Sequence, residues 1–211
     1  MAKININFNP DMLSADYVIS QRDLTKDCVT SELKNIEAQK DYSRLKDFAF
    51  ESFPEVRNKL LKEIDRHFTF VLLTIVESWF RSDFINRVNN KPKHNLPNLT
   101  KSCRKLFDKA HKNKKKPYEI KLKDIIGLWR EEFPSTLGET DVLNQYIEEL
   151  NFRNWYAHGR YWDVNFEGRK YNFENVSNIV QGIRIMMGDE LKGSYRKGNK
   201  DIEETLIFTK I

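Results

Sequence analysis

The run Arg153-Asn154-Trp155-Tyr156-Ala157-His158-Gly159-Arg160 gathers side chains able to do acid–base chemistry on a phosphodiester. On a helix, at 100° per residue, Asn154 and His158 share one face and Arg153 stands on its shoulder, so a guanidinium, an amide and an imidazole reach one small volume. Histidine both takes and gives a proton near neutral pH. Arginine stays protonated and cannot act as a base. Its planar fork nevertheless fits the oxygens of a phosphate and the negative charge that builds up when a phosphodiester is attacked. Spacing alone also fits a plainer description, in which a His-Gly pair complements the dipole at a helix C-terminus and Arg with Asn lies on solvated surface.

Arg153-Asn154-x-x-Ala157-His158-Gly159 resembles the Arg-x4–6-His motif of the HEPN superfamily (higher eukaryotes and prokaryotes nucleotide-binding domain), in its form of an Arg, a polar residue, three spacers and a His near the end of a bundle helix. The resemblance implies a four-to-five-helix bundle that dimerises so that two motif copies meet across the interface. It also implies a metal-independent endoribonuclease, an activity prominent among toxins and antiviral effectors of prokaryotic defence systems. On this chain the family roles fall on Arg153 as phosphate binder and transition-state stabiliser, His158 as general acid or base, and Asn154 as an orienting polar residue. HEPN toxins paired with minimal nucleotidyltransferase antitoxins often carry a Tyr two residues after the His. That position is Arg160 here, with Tyr161 one later, which argues against that particular antitoxin and sets a second cation beside the site.

The chemistry agrees with the resemblance. RNA carries its own nucleophile in the 2′-OH, so a protein that deprotonates this hydroxyl, protonates the leaving 5′-oxygen and neutralises the phosphorane cleaves without metal. One imidazole per chain is short of the two proton-transfer groups the reaction wants, which is a chemical reason to expect a homodimer with a composite site. The alternative is a catalytically inactive HEPN-like module that binds RNA, a nucleotide or a partner protein, an antitoxin or defence-system component among them. No cofactor is expected, and no metal: His67, His94, His111 and His158 stand singly, without Cys-x-x-Cys or His-x-x-x-His spacing. A DNA-binding regulator is the weakest option, because no helix-turn-helix signature is present.

Charge adds a second feature. The 211 residues hold 36 Lys plus Arg against 31 Asp plus Glu, a net of +5. Between Lys101 and Lys116 stand Lys101, Arg104, Lys105, Lys109, Lys112, Lys114, Lys115 and Lys116 against one acid, Asp108; this strip carries +7 and leaves −2 for the rest of the chain. Such a strip suits a polyanion such as RNA, and its preponderance of Lys over Arg favours attraction to the backbone rather than base-specific readout. The ribonuclease expectation requires strip and motif on one face of the dimer. Trp155, Tyr156, Tyr161 and Trp162 flank the motif and either stack on unpaired bases or serve as core and interface residues. Glu77, inside an apolar stripe, wants a partner that Arg153 or His158 could supply, unless it is simply exposed.

These side chains need a scaffold, and the patterning supplies one that is mainly α: an antiparallel helical bundle in a single domain over 1–211, with small β appendages. With 39% apolar and 12% aromatic residues the chain is not of the disordered class. The strongest segment opens at Pro54 and carries Leu60, Leu61, Ile64, Phe68, Val71, Leu72, Ile75, Val76, Trp79 and Phe80 at helical spacing, ending near Asn89-Asn90-Lys91-Pro92. Weaker helices are expected over 11–22 and 31–48. A basic helix runs from Thr100 to His111, another spans Leu122 to Trp129 and stops at Phe133-Pro134, and a motif helix over 142–158 ends at Gly159. A last helix runs from Phe173 to Asp189. After the motif, Trp162, Val164 and Phe166, a turn at Glu167-Gly168, then Tyr171 and Phe173 suggest a β-hairpin; Ile4, Ile6 and Phe8 and the tail Thr205-Leu206-Ile207-Phe208 suggest short terminal strands. The opening residues show no apolar leader, and no apolar run approaches the ~20 residues that cross a bilayer. With Cys28 and Cys103 as ordinary packing thiols, a cytoplasmic protein without a membrane partner is expected.

Overall fold

A computed structural model describes residues 14–48, 52–89, 96–133, 139–158 and 172–187. Among them every regular element is helical: α1 (Ala15–Gln39), α2 (Phe53–Val88), α3 (Pro97–Lys112), α4 (Leu122–Glu132), α5 (Glu139–Ala157) and α6 (Phe173–Met187), with 3-10 turns at Tyr42–Phe48 and Pro117–Glu119. The expected helical bundle with β appendages is thus corrected to an all-α architecture, with no strand among the described residues. The terminal strands and most of the hairpin fall outside those residues. Where the hairpin's second strand enters the described chain, helix wins for a local reason. The Asn172 side chain accepts a hydrogen bond from the Asn175 backbone N–H at 2.7 Å, capping α6. Phe173 then opens a helical stripe with Val176, Ile179, Val180 and Ile183, all buried, and two alternating aromatics cannot outweigh it.

The two weak helices expected before residue 50 are one helix followed by a 3-10 turn. Ser14 caps α1, its hydroxyl accepting from the Tyr17 N–H at 3.0 Å. No Gly or Pro interrupts Ala15–Gln39, and a left-handed residue, Lys40 (φ 54°), ends the helix. Apolar residues at Val18, Leu33 and Ile36 are buried, but their sparse spacing gives the weak periodicity that splits the segment when read from sequence.

The described chain gathers into two compact units, one formed by residues within 75–148 and 179–187, the other by residues within 14–74 and 149–178. In the first, Phe80 of α2 packs edge-on to Trp129 of α4 (6.0 Å between centroids) and against Tyr146 of α5 (5.8 Å), all three buried. Gly182 lets α6 approach α5: a Cβ there would meet both Val142 methyl carbons at 3.1 Å. This core also contains a charge pair. Arg87, fully buried, donates from Nε to Asp83 Oδ2 at 2.8 Å and from Nη1 to Thr100 Oγ1 of α3 at 3.2 Å, with its guanidinium 5.5 Å from the Trp129 ring centroid.

In the second unit a charged cluster replaces part of the apolar contact. Asp65 of α2 accepts from Arg22 (2.8 Å) and Lys26 (3.1 Å) of α1, while Arg22 also reaches Glu174 of α6 (3.0 Å) and lies over the Phe173 ring at 4.5 Å. One guanidinium therefore ties three helices. No described helix is long and apolar enough to cross a membrane.

Candidate functional site

Arg153, Asn154 and His158 lie in the last turn of α5 and just beyond it, in the second unit. The His158 backbone N–H bonds to the Asn154 carbonyl at 3.0 Å, so helical geometry continues one residue past Ala157 and keeps the two side chains on one face. Arg153 Nη1 donates to Asn154 Oδ1 at 3.0 Å, which orients the guanidinium toward the Asn154 side of the helix. Asn154 and His158 are exposed, Arg153 half-buried. The Arg153 guanidinium can hold a phosphate, and the accessible His158 imidazole can move a proton.

Apolar packing positions this turn. Phe152 is buried, and the Tyr156 ring stacks on Phe70 of α2 (5.2 Å, 30°) while Trp155 receives the Arg66 guanidinium at 6.0 Å from its centroid. Arg66 is in turn bonded to Glu63. Trp155 and Tyr156, both half-buried, are thus engaged with α2. Gly159, Arg160, Tyr161 and Trp162 lie outside the described residues.

The basic strip belongs to the first unit. In α3 the residues Leu99, Thr100, Cys103, Phe107 and Ala110 are buried, while Lys101, Lys105, Lys109 and Lys112 are exposed at helical spacing along the other side. Lys114, Lys115 and Lys116 continue the row, all exposed. Arg104 departs from it: it is half-buried, and its Nε is buried without a hydrogen bond among the described residues.

Helix α3 ends in a Schellman motif, with the Lys115 N–H bonded to the Ala110 carbonyl (3.0 Å) and the Lys114 N–H to that of His111 (2.9 Å). The position that such a motif reserves for a left-handed residue is usually Gly; here it is Lys114, at φ 57°. A lysine thus stands where the backbone favours glycine.

Glu77 pairs with Arg81 one turn along α2 (2.8 Å), and Arg81 Nη1 donates to the Ile120 carbonyl at 3.2 Å. This chain of contacts anchors the turn at Pro117–Glu119. Tyr118, at the centre of that turn, is 62% exposed, with the Lys116 ammonium 5.6 Å from its ring centroid. Tyr118 is not among the residues that spacing singles out; its only signal in the sequence is a Pro-Tyr pair directly after three lysines, where proline pre-sets a turn.

Burial pushes the Cys103 thiol up to about 12; Asp83 acts in the same direction and Arg87 against it. Cys28 is exposed. Among the described residues no group of three or more His, Cys, Asp or Glu side chains gathers as a metal site. No family model, no curated protein and no solved structure matches the chain.

Proposed function

We propose that this protein is a HEPN-type, metal-independent endoribonuclease of a prokaryotic defence or toxin system, acting as a homodimer with a composite site. The observation that carries the proposal is the end of α5, where Arg153 is bonded to Asn154 and His158 stands exposed one turn beyond Asn154 on the same face. In the proposed reaction His158 of one chain takes the proton from a ribose 2′-OH as O2′ attacks phosphorus. Arg153 neutralises the phosphorane, and the equivalent imidazole of the second chain protonates the departing 5′-oxygen. The products are a 2′,3′-cyclic phosphate and a 5′-hydroxyl. The lysine row of α3 attracts the RNA backbone.

Incubation with total RNA and tRNA in EDTA tests this. The parent should release fragments ending in 2′,3′-cyclic phosphate, and His158→Ala and Arg153→Ala should each cut roughly 100-fold more slowly or worse. Because the site is composite, His158→Ala chains mixed with the parent should suppress cleavage beyond their share of the mixture. Replacing exposed strip lysines should raise KM and leave kcat nearly unchanged. Absence of cleavage by the parent, or an unimpaired His158→Ala, sinks the enzymatic proposal; salt-sensitive RNA binding that survives His158→Ala without cleavage would instead mark a binding module.

A further inference from the structure

The turn after α3 combines three properties that a solvated loop does not require. Its charge is concentrated, with Lys114, Lys115 and Lys116 exposed in succession and Lys109 and Lys112 on the preceding turn. Its backbone is fixed at several points: the Schellman bonds at Lys114 and Lys115, a bond from the Lys116 N–H to Glu119 Oε2 at 2.7 Å, the buried Ile120, and the Arg81 donor to the Ile120 carbonyl. It also presents a large aromatic ring outward, since Tyr118 is 62% exposed while the residue two positions on is buried.

Exposing a tyrosine forfeits the apolar burial it would otherwise gain, and a left-handed lysine carries strain that glycine would relieve. Both sit within five residues, and both are explained together by a ligand with phosphates and flat rings. A phosphate chain is attracted by the ammonium groups, and every base offers a π-face to an aromatic platform regardless of its identity. Lys116 lies over the ring at the distance of a cation–π contact, so one face of the platform already meets positive charge and a base would stack on the other. Duplex RNA cannot use the ring, because its bases are already stacked on one another.

We infer that Tyr118 is a base-stacking platform, and that together with Lys112, Lys114, Lys115 and Lys116 it forms a binding site for single-stranded polynucleotide. The inference rests on the proposal that the strip binds a nucleic-acid backbone, and it does not depend on catalysis at His158. The ring reads base faces rather than sugars, so RNA and DNA single strands are equally served. The Glu77–Arg81 pair positions the platform through the Ile120 carbonyl.

The test uses the full chain as parent, Tyr118→Ala and Tyr118→Phe. Fluorescence anisotropy reports binding to a labelled 2′-O-methyl oligoadenylate, which has no free 2′-OH and cannot be cut. An oligodeoxyadenylate, a blunt RNA duplex and inorganic polyphosphate as competitor complete the set. The expected result is that Tyr118→Ala weakens both single strands by roughly five-fold or more, the lower end of what a base–aromatic stack contributes. Tyr118→Phe should bind like the parent, and duplex and polyphosphate binding should be unchanged in both variants. Unchanged polyphosphate competition shows that the strip's charge is intact, and an unchanged helical circular dichroism spectrum shows that the variant is folded. A Tyr118→Ala protein that binds oligoadenylate as well as the parent, or that loses polyphosphate to the same degree, overturns the stacking role while leaving the strip intact. A parent that binds neither oligoadenylate nor polyphosphate at low salt overturns the strip proposal and the platform with it.

Discussion

Lys114→Gly is expected to move stability and binding in opposite directions. Lys114 holds φ at 57° in the Schellman motif that closes α3. A non-glycine residue in that conformation costs roughly 1–2 kcal/mol. Glycine relieves the strain but gains roughly 0.5–1 kcal/mol of chain entropy in the unfolded state, so the net gain is about 0.5–1 kcal/mol. For a chain of this size that raises the melting midpoint by about 1–4 °C. The same substitution removes one exposed ammonium. If Lys114 contacts a phosphate of a single strand, the slope of log K against log salt becomes shallower by about 0.7, and affinity at 0.1 M salt falls about five-fold. Calorimetry and anisotropy titrations at several salt concentrations measure both quantities on one preparation. Lys115→Gly is the control, since it deletes a neighbouring charge without relieving strain and should weaken binding with no gain in stability. A Lys114→Gly protein that melts below the parent refutes the strain argument; an unaltered salt slope refutes the phosphate contact.

Removing the counter-charge in the core should be severe: Asp83→Ala strands the buried Arg87 guanidinium and should cost about 3 kcal/mol or more by urea unfolding, whereas Asp83→Leu with Arg87→Met should come close to parental stability. Gly127 and Gly182, both inside described helices, should respond with opposite signs. A Cβ at Gly127 meets nothing within 4 Å, so Gly127→Ala should stabilise by about 0.5–1 kcal/mol, while Gly182→Ala must displace Val142 and should lower the melting midpoint. Native protein should take up one equivalent of a thiol reagent, at Cys28, and a second at Cys103 only on unfolding. The raised thiol of Cys103 also sets a pH dependence: its contribution is complete below the unfolded value near 9.0 and is lost as pH rises toward about 12, so the stability difference between the parent and Cys103→Ala should shrink across that window.

The long core helix was legible because Leu72, Val76, Phe80 and their neighbours repeat at three and four residues, and the structure places α2 at Phe53–Val88. Both faces of α3 were legible for the same reason, its lysines and its apolar residues falling at offset positions of one helical repeat. The motif turn was legible as a spacing, but its internal Arg153–Asn154 bond was not, since neighbours on a helix point about 100° apart. Harder to see were α1, whose few buried positions leave little amphipathic signal, and the buried Arg87–Asp83 pair, which reads in sequence like any solvated pair one turn apart. The exposure of Tyr118 and the left-handed Lys114 are tertiary facts: neither residue type announces them, and both depend on the hydrogen bonds that join the end of α3 to the turn at Pro117–Glu119.

The hydrogen bond from Arg87 to Thr100 has a consequence for how this surface can change. An apolar helix face tolerates small rotations, because one methyl group substitutes for another in the contact. A directional polar bond at the first turn of α3 admits one angular setting. The heading of the lysine row is therefore constrained from beneath, by buried groups. Lys101, Lys105, Lys109 and Lys112 are exposed and take no part in that bond, so substitutions there leave in place what orients the helix. On α3 the exposed lysines thus form a face whose charge can change with little effect on the packing beneath it, whereas Lys114 and Arg104 stay tied to the fold.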